Sequence, residues 1–295
     1  MQFNGDSSLK DKIVSCWEFD DVSTANGQTV LDSVGNINGT YYNSPLQITG
    51  KLGYGYHQGN YTSYVTIPND VRLTPTSAFS VSMWCNMANW SEPSVFVSKR
   101  TPVTGIGEYD IQIESNNVRI YIGDGVTNFT KYLLVGIPVS SLGLIGSAWT
   151  HFAFTWNGID QNGFKLYVNG VLYTFTSLQN VGGWTSCVNT PTPLTIGMSP
   201  FNEGYMNNID QAAIWNRELT QSNVTELYNG GNGKFYTSFS GLNNNTWTHM
   251  TDSGSPLRIG LNVSGYGGLR GYVRHVHLDN ICQTPTKMLA YHNEG

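Results

Sequence analysis

The chain has 295 residues, of which 12% are charged and 13% aromatic, and its formal net charge is −5. Phosphate binding needs a concentrated basic face, and the sequence has no cluster of Lys and Arg, so we expect neither nucleic acid nor another acidic polymer as a partner. We also expect no membrane insertion, because no apolar stretch approaches the roughly 20 residues of a membrane-spanning helix.

The apolar residues fall into short alternating runs separated by Gly, Asn, Ser and Thr, which favours an all-β protein with many turns. On one run Phe79, Val81, Met83 and Cys85 alternate with polar residues, so these four predict a core face. Other strands are predicted at residues 13–19, 94–99, 109–114, 118–122, 131–135, 165–168 and 171–175.

Asn169-Gly170 lies between two of these strands. Asn-Gly suits a two-residue type I′ hairpin, because both central residues of that turn need positive φ. Strands at this spacing, with a single short helix, predict a two-sheet sandwich around one core.

Residues 194–233 combine strand, turn, strand and helix. In the second strand the alternation predicts that Ile209, Gln211, Ala213 and Trp215 share one face. The helix is predicted to begin after Thr220 as its cap and to end at Gly230 and Gly231.

The same pattern returns without a gap at residues 257–295. This second copy lacks the first half of the sandwich, and such a fragment has too little apolar surface to stand alone. We therefore predict that residues 237–295 are a C-terminal partial repeat, which extends the first domain's sheet or packs against another subunit or partner.

The four cysteines are widely separated, match no metal-ligand spacing and are predicted to be mostly buried free thiols. The histidines, including His275 and His277 on one predicted strand face, offer no metal triad by spacing. The cysteines are Cys16, Cys85, Cys187 and Cys282.

Nine stretches occur in an order that resembles the laminin-G-like branch of the concanavalin A-like lectin/glucanase superfamily. They are CWEFDD, LDSVGNINGT, ITGKLGYGYHQGNYTSYVTIP, AFSVSMW, WTHFAFTWNG, FKLYVNG, LTIG, NNIDQAAIWNRELT and LYNGGNG. The resemblance implies an antiparallel jelly-roll sandwich. We assign it to residues 11–236, after an N-terminal tail at 1–10.

The segments SLKDKIVSCWEFD and RELTQSNVTELYNGGNG are similar to domains of bacterial surface proteins and of bacteriophage tail, fibre or head-decoration proteins. The polar N-terminus lacks the order of a secretory signal. We therefore predict a virion location, with an extracellular or bacterial cell-surface location as the alternative. The expected partners are capsid or tail proteins, host surface glycans and further copies of this chain in a larger assembly.

The resemblance also raises the question of catalysis, since some glucanases of the superfamily carry Glu-x-Asp-x-Glu on one strand. Here EYDIQIE would place Glu108, Asp110, Gln112 and Glu114 on one face. The second essential carboxylate is replaced by Gln112, so a solvated polar strand face is the better interpretation. No catalytic residues are assigned.

Calcium is the cofactor that the resemblance implies, because Asp32 and Asp210 match aspartates near a structural calcium site of laminin-G-like domains. Calcium takes six to eight oxygen ligands, and the loop around Asp32 is rich in them. The alternative is that these residues stabilise turns through their own backbone.

Sugar binding would need exposed aromatic rings, and Trp90 and Trp184 lie in turn-rich stretches. We predict them as ligand-binding residues, the alternative being that each covers a neighbouring loop. The leading function is a non-enzymatic virion surface protein with a lectin-like module. A purely structural capsid or tail protein and a glucanase-like hydrolase are the competing functions.

Overall fold

The computed structural model describes residues 9–59, 62–91, 93–101, 107–127, 130–198, 204 and 206–236. These residues form two antiparallel sheets and one α-helix, which confirms the predicted all-β sandwich. The strands are β1 (Ile13–Trp17), β2 (Thr29–Val30), β3 (Gly39–Tyr42), β4 (Leu46–Thr49), β5 (Tyr54–His57), β6 (Tyr64–Ile67), β7 (Phe79–Asn86), β8 (Ser94–Arg100), β9 (Gly107–Glu114), β10 (Asn117–Gly123), β11 (Tyr132–Pro138), β12 (Thr150–Trp156), β13 (Phe164–Val168), β14 (Val171–Tyr173), β15 (Ser177–Val181), β16 (Leu194–Ile196) and β17 (Asn208–Trp215). The helix α1 spans Gln221–Tyr228, and short 3-10 turns lie at Val71–Leu73, Val139–Ser141, Gln161–Gly163 and Asn229–Gly231.

The strands are distributed over two sheets that face each other. Sheet 1 has the order β14-β13-β12-β7-β17-β5-β4, with β1 also paired to β17. Sheet 2 has the order β15-β11-β10-β9-β8-β16-β6-β3-β2. Their inner faces enclose one apolar core, in which Phe79, Val81, Met83 and Cys85 are buried as predicted.

The hairpin between β13 and β14 has the predicted turn. Asn169 has φ of 50° and Gly170 has φ of 79°, so both central residues are in the left-handed region that a type I′ turn requires. The Asn169 side chain also accepts a hydrogen bond from the backbone N–H of His151, at 2.9 Å. The turn is therefore tied to strand β12 as well as to its own hairpin.

The two strands of the 194–233 segment lie in different sheets, and the predicted alternation along β17 is wrong. Ile209 faces the inner core, whereas Ala213 and Trp215 lie on the outer face of sheet 1. The register against β7 shifts between Asp210 and Ala213, and Gln211 has φ of 51°. This β-bulge inserts an extra residue, which moves the following side chains to the opposite face.

Helix α1 covers the outer face of sheet 1 and forms a second apolar cluster there. Thr220 caps the helix as predicted, with reciprocal bonds to Asn223. The left-handed end begins at Asn229, with φ of 49°, and continues through Gly230 and Gly231. Buried residues of this cluster are Leu9, Cys16, Ala153, Tyr167, Ala213, Trp215, Leu219, Val224 and Leu227.

The described residues include Leu9 and Lys10 of the predicted N-terminal tail. Leu9 is fully buried, and its carbonyl accepts a hydrogen bond from Trp215 Nε1 at 2.8 Å. Cys16, Cys85 and Cys187 are buried free thiols, as predicted. Cys282, His275, His277 and the whole predicted repeat at 237–295 lie outside the described residues. Among the described helices, none is long and apolar enough to cross a lipid bilayer.

Candidate functional site

A row of mainly polar residues crosses the outer face of sheet 2. Its members stand directly opposite one another on eight adjacent strands, and their chain neighbours, such as Ile111 and Val97, point into the core. The central members Ser98, Asp110 and Thr195 are buried, while the two ends of the row are more open. In strand order this polar row is Thr40, Thr66, Thr195, Ser98, Asp110, Tyr121, Leu134 and Gln179.

Four side chains at one side of this row form what we call the arginine–tyrosine patch: Glu114, Arg119, Tyr121 and Tyr132. Alternation along β9, β10 and β11 places all four on the face opposite the core isoleucines and leucine. Glu114 Oε2 accepts hydrogen bonds from Arg119 Nη1 at 2.5 Å and from Tyr121 Oη at 2.8 Å. The Tyr121 and Tyr132 rings lie 5.7 Å apart. The patch thus combines two aromatic faces with charged hydrogen-bonding groups.

Arg119 keeps its charge and Tyr121 keeps its phenol proton over the neutral range. Burial and the hydrogen bond to Glu114 raise the pKa of Tyr121 to about 12. Burial alone would lower the pKa of Arg119, but Tyr121 and Glu114 outweigh it and raise that pKa. Arg119 and Glu114 also remain accessible, with 28% and 44% of their side-chain surfaces exposed. A ligand hydroxyl can therefore reach a permanent cation and a carboxylate.

The carboxylates of β9 lack the arrangement of a glycosidase pair. Asp110 and Glu114 are four residues apart on one face, which corresponds to roughly 13 Å along a strand, beyond the separations that retaining or inverting enzymes use. Asp110 is buried and forms an ion pair with Arg100 at 2.7 Å. Glu108 is buried against the ammonium of Lys99. Gln112, between Asp110 and Glu114, supplies an amide rather than an acid.

Trp90 and Trp184, predicted as exposed sugar-binding residues, are both buried, with 5% and 6% exposure. Trp90 donates its indole N–H to the carbonyl of Ile145 at 3.1 Å, and Trp184 donates to the carbonyl of Gly123 at 3.0 Å. A buried indole needs an acceptor for its N–H, and these loop carbonyls provide one. The prediction of exposed rings is wrong, and we assign neither residue to a sugar site.

Asp32 organises a turn through its carboxylate. Oδ1 accepts the backbone N–H groups of Cys16 and Val34, and Oδ2 accepts those of Gly35 and Ile37, at 2.9 to 3.0 Å. Four hydrogen bonds fill the lone-pair positions of a carboxylate. In this arrangement Asp32 offers no open position to a calcium ion and acts as the turn stabiliser that sequence reasoning kept as the alternative.

Asp210 is fully buried at the bulge of β17 and holds a different turn. Oδ2 accepts the backbone N–H of Leu52 at 2.8 Å, while Oδ1 is buried without a hydrogen-bond partner among the described residues. Burial raises the pKa of Asp210 well above its usual range, although backbone N–H groups oppose the shift. That shift favours the protonated acid over the carboxylate that calcium needs. In the described part of the chain, no three His, Cys, Asp or Glu side chains are grouped as a metal site requires.

The arginine–tyrosine patch was missed by the sequence reasoning. Its signal was present in the run Asn117–Gly123, where Arg119 and Tyr121 alternate with the core residues Val118, Ile120 and Ile122. Only the register with β9 and β11 shows that Glu114 and Tyr132 meet them, and register is not readable from one strand alone.

Solved structures with a similar fold include carbohydrate- and receptor-binding domains. Domain 4 of the extracellular arabinanase AbnA from Geobacillus stearothermophilus, solved in complex with arabinotriose, has a TM-score of 0.52 and 19% identity, over 73% of this chain and 97% of that one. The binding domain of Paraclostridial Mosquitocidal Protein 1 has a TM-score of 0.56 and 18% identity, over 76% of this chain and 53% of that one.

The ligand-binding domain of botulinum neurotoxin serotype D, in complex with N-acetylneuraminic acid, gives a TM-score of 0.54 and 15% identity, over 75% of this chain and 51% of that one. This chain thus spans about half the length of the two toxin domains. At these identities the likeness establishes the fold. No curated protein matches the sequence.

Family assignment comes from the sequence itself. A laminin-G family model, described as concanavalin A-like lectin/glucanases superfamily, matches residues 58–225. The match covers more than half of the chain and includes strands of both sheets and most of α1. The chain therefore belongs to the concanavalin A-like lectin/glucanases superfamily.

Proposed function

We propose that this domain is a non-enzymatic carbohydrate-binding module whose site is the arginine–tyrosine patch on the outer face of sheet 2. The observation that carries the proposal is the joining of two tyrosine rings to an Arg–Glu pair on one face of a rigid sheet. A tyrosine ring can stack on the apolar face of a sugar, while Arg119 donates to its hydroxyls and Glu114 accepts from them.

The similar folds support this proposal without identifying the ligand. Among them are a domain solved with arabinotriose and one solved with N-acetylneuraminic acid. Binding without hydrolysis is supported by the β9 carboxylates, since Glu108 and Asp110 are buried in ion pairs and Glu114 stands far from both.

A glycan array with the full-length chain tests the proposal. We expect binding to a defined set of glycans that falls at least tenfold in Arg119→Ala and in Tyr132→Ala. Tyr54→Ala is the matched control, because Tyr54 is an exposed tyrosine of sheet 1 and its loss should leave binding unchanged. Binding that survives both patch variants, or that Tyr54→Ala abolishes, contradicts the site. Turnover of a glycan by the wild-type chain contradicts the non-enzymatic role.

The virion location and the calcium ion remain predictions of the sequence resemblance. Particle proteomics would test the first: the chain should co-purify with phage capsid or tail proteins, and an extracellular or bacterial surface location is the alternative. For calcium, the buried Oδ1 of Asp210, which has no hydrogen-bond partner among the described residues, is the atom that supports a site. The raised pKa of Asp210 and the filled carboxylate of Asp32 oppose the predicted pair. If no glycan binds, a scaffold role within such an assembly becomes the leading function.

A further inference from the structure

A cluster on sheet 2 brings a buried lysine and a buried glutamate together with an exposed asparagine. The side chain of Lys99, on β8, is completely buried. Its Nζ donates to Asn69 Oδ1 at 2.9 Å, to Glu108 Oε1, and more weakly to the carbonyl of Thr190 at 3.4 Å. Asn69 lies two residues after the end of β6, and Glu108 lies near the start of β9. The amine therefore touches both a side-chain amide and a carboxylate.

Two opposing effects act on the protonation of the amine in this cluster. Burial lowers the pKa of Lys99, although the hydrogen bond and charge of Glu108 act in the opposite direction. In a buried ion pair a proton can move from the ammonium to the carboxylate, which leaves two neutral groups at little desolvation cost. A neutral lysine amine is a nucleophile, whereas an ammonium is not.

Glu108 is held in the position that a proton carrier would need. Its Oε1 atom accepts hydrogen bonds from the backbone N–H and the hydroxyl of Thr190, at 2.7 and 2.8 Å. Its Oε2 atom is buried and has no hydrogen-bond partner among the described residues. The fixed oxygen contacts the amine, and the other oxygen remains able to carry a proton.

We propose that Lys99 and Asn69 join in an intramolecular isopeptide bond, with Glu108 as the proton carrier. Glu108 takes a proton from the Lys99 ammonium, and the freed Nζ attacks the side-chain carbonyl carbon of Asn69. The new Nζ–Cγ bond forms, the Cγ–Nδ2 bond breaks, and Nδ2 leaves as ammonia after receiving a proton from Nζ. Ammonia then takes the proton held by Glu108 and departs as ammonium. The positive charge of the Lys99 ammonium thus leaves with the released ammonium, and no atom is oxidised or reduced.

The placement of Asn69 allows its leaving group to escape. The lysine end of the cluster is closed to solvent, but Asn69 itself is exposed, so ammonium can pass directly into water. The bond would connect the end of β6 with the end of β8, which are separated in sheet 2 by β16. It would therefore fasten the two strands on either side of a central strand.

Intact-mass spectrometry of the denatured full-length chain tests the proposal. We expect a mass below the sequence mass by one ammonia molecule. A tryptic digest should contain a branched peptide that joins residues 52–72 to 73–100, since an acylated Lys99 resists cleavage. A wild-type chain of full sequence mass, with separate linear peptides ending at Arg72 and Lys99, overturns the proposal. An ammonia loss that maps to any other asparagine or to the N-terminus also overturns it.

Three variants assign the roles, and their masses can be read whether or not they fold. Lys99→Arg and Asn69→Ala each remove a reacting group and should show the full mass. Glu108→Gln keeps both reacting groups but removes the proton carrier, so we expect the variant to retain the full mass or to lose ammonia only slowly. Bond formation at the wild-type rate would contradict the role of Glu108 as proton carrier. Lys165→Arg is the matched control, because Lys165 forms a surface ion pair with Glu218 at 2.5 Å and is not part of the cluster. This variant should retain the cross-link between Lys99 and Asn69.

Discussion

The buried titratable side chains of this domain differ in how fully their polar atoms are hydrogen-bonded. Asp32 receives four backbone N–H groups. His151 is buried at 1% exposure and shares one hydrogen bond of 2.8 Å with Ser82, while its Nδ1 has no partner in the described residues. Full hydrogen bonding stabilises a charge, and incomplete hydrogen bonding in an apolar setting opposes it. His151 is therefore a residue whose protonation should work against the fold.

The pH dependence of stability should reveal His151. Burial lowers the pKa of His151 to about 3, whereas a histidine of the unfolded chain has a pKa of about 6.5. Between these two pH values the unfolded chain therefore binds more protons than the folded chain. Stability contributed by the neutral ring is thus present above about pH 6.5 and is lost as pH falls towards 3. Urea unfolding at a series of pH values should show a steeper loss for the wild-type chain than for His151→Gln, by up to about 1.4 kcal/mol per pH unit.

All other titrating groups are common to the wild-type chain and His151→Gln, so the difference between their slopes isolates the ring at position 151. Equal slopes for the wild-type chain and His151→Gln would show that His151 titrates normally in the folded state.

Helix α1 shows how a local sequence signal supports tertiary packing. Its eight residues are too few for a stable isolated helix, so it depends on its caps and on packing against sheet 1. Thr220 accepts the backbone N–H of Asn223 at 3.2 Å, and Asn223 Oδ1 accepts that of Thr220 at 3.1 Å. Val224 and Leu227 then reach the outer cluster around Trp215.

Removal of the cap should weaken the fold by a predictable amount. Thr220→Ala should lower the free energy of unfolding by about 1 kcal/mol, because a backbone N–H loses its acceptor. Thr220→Ser retains the hydroxyl and should stay close to the wild-type value. Urea denaturation with an unchanged m-value measures both. A loss of the same size in both variants would assign the effect to the methyl group instead of the cap.

At the level of elements, sequence patterns predicted most strands but not their exceptions. Alternation identified the core face of β7, and Asn-Gly identified the turn after β13. The bulge at Gln211 escaped because a non-glycine residue with positive φ is imposed by the surrounding sheet. The burial of Trp90 and Trp184 escaped because their rings join the apolar core from turn-rich stretches, where loop carbonyls accept the indole N–H groups. Strand register decides whether Arg119 meets Glu114 and whether Tyr121 meets Tyr132, and it is a property of three strands together.

Both sheets and both apolar clusters, as described, are built from residues between 9 and 236. A chain shortened to residues 1–236 should therefore stay soluble and keep the melting temperature of the sandwich within a few degrees. We expect it to lose self-assembly or attachment to its particle, if residues 237–295 supply the interface that the sequence predicts. Differential scanning calorimetry and analytical ultracentrifugation would measure the two effects.

Either of two results would revise this division of roles. A shortened chain that aggregates or melts much earlier would show that the sandwich needs the C-terminal residues for its own stability. A shortened chain that assembles as the full chain does would place the interface on residues 1–236.

The central positions of β16 and β17 affect how the chain can fold during synthesis. β16 fills the gap between β6 and β8, and β17 fills the gap between β7 and β5, so each sheet lacks a middle strand until residues 194–215 have left the ribosome. Until then four strands present unpaired edges, which invite pairing with other chains. The nascent chain should therefore depend on chaperones for most of its translation and close its sandwich in one late step, in which β1 docks on β17, the last strand of the described residues.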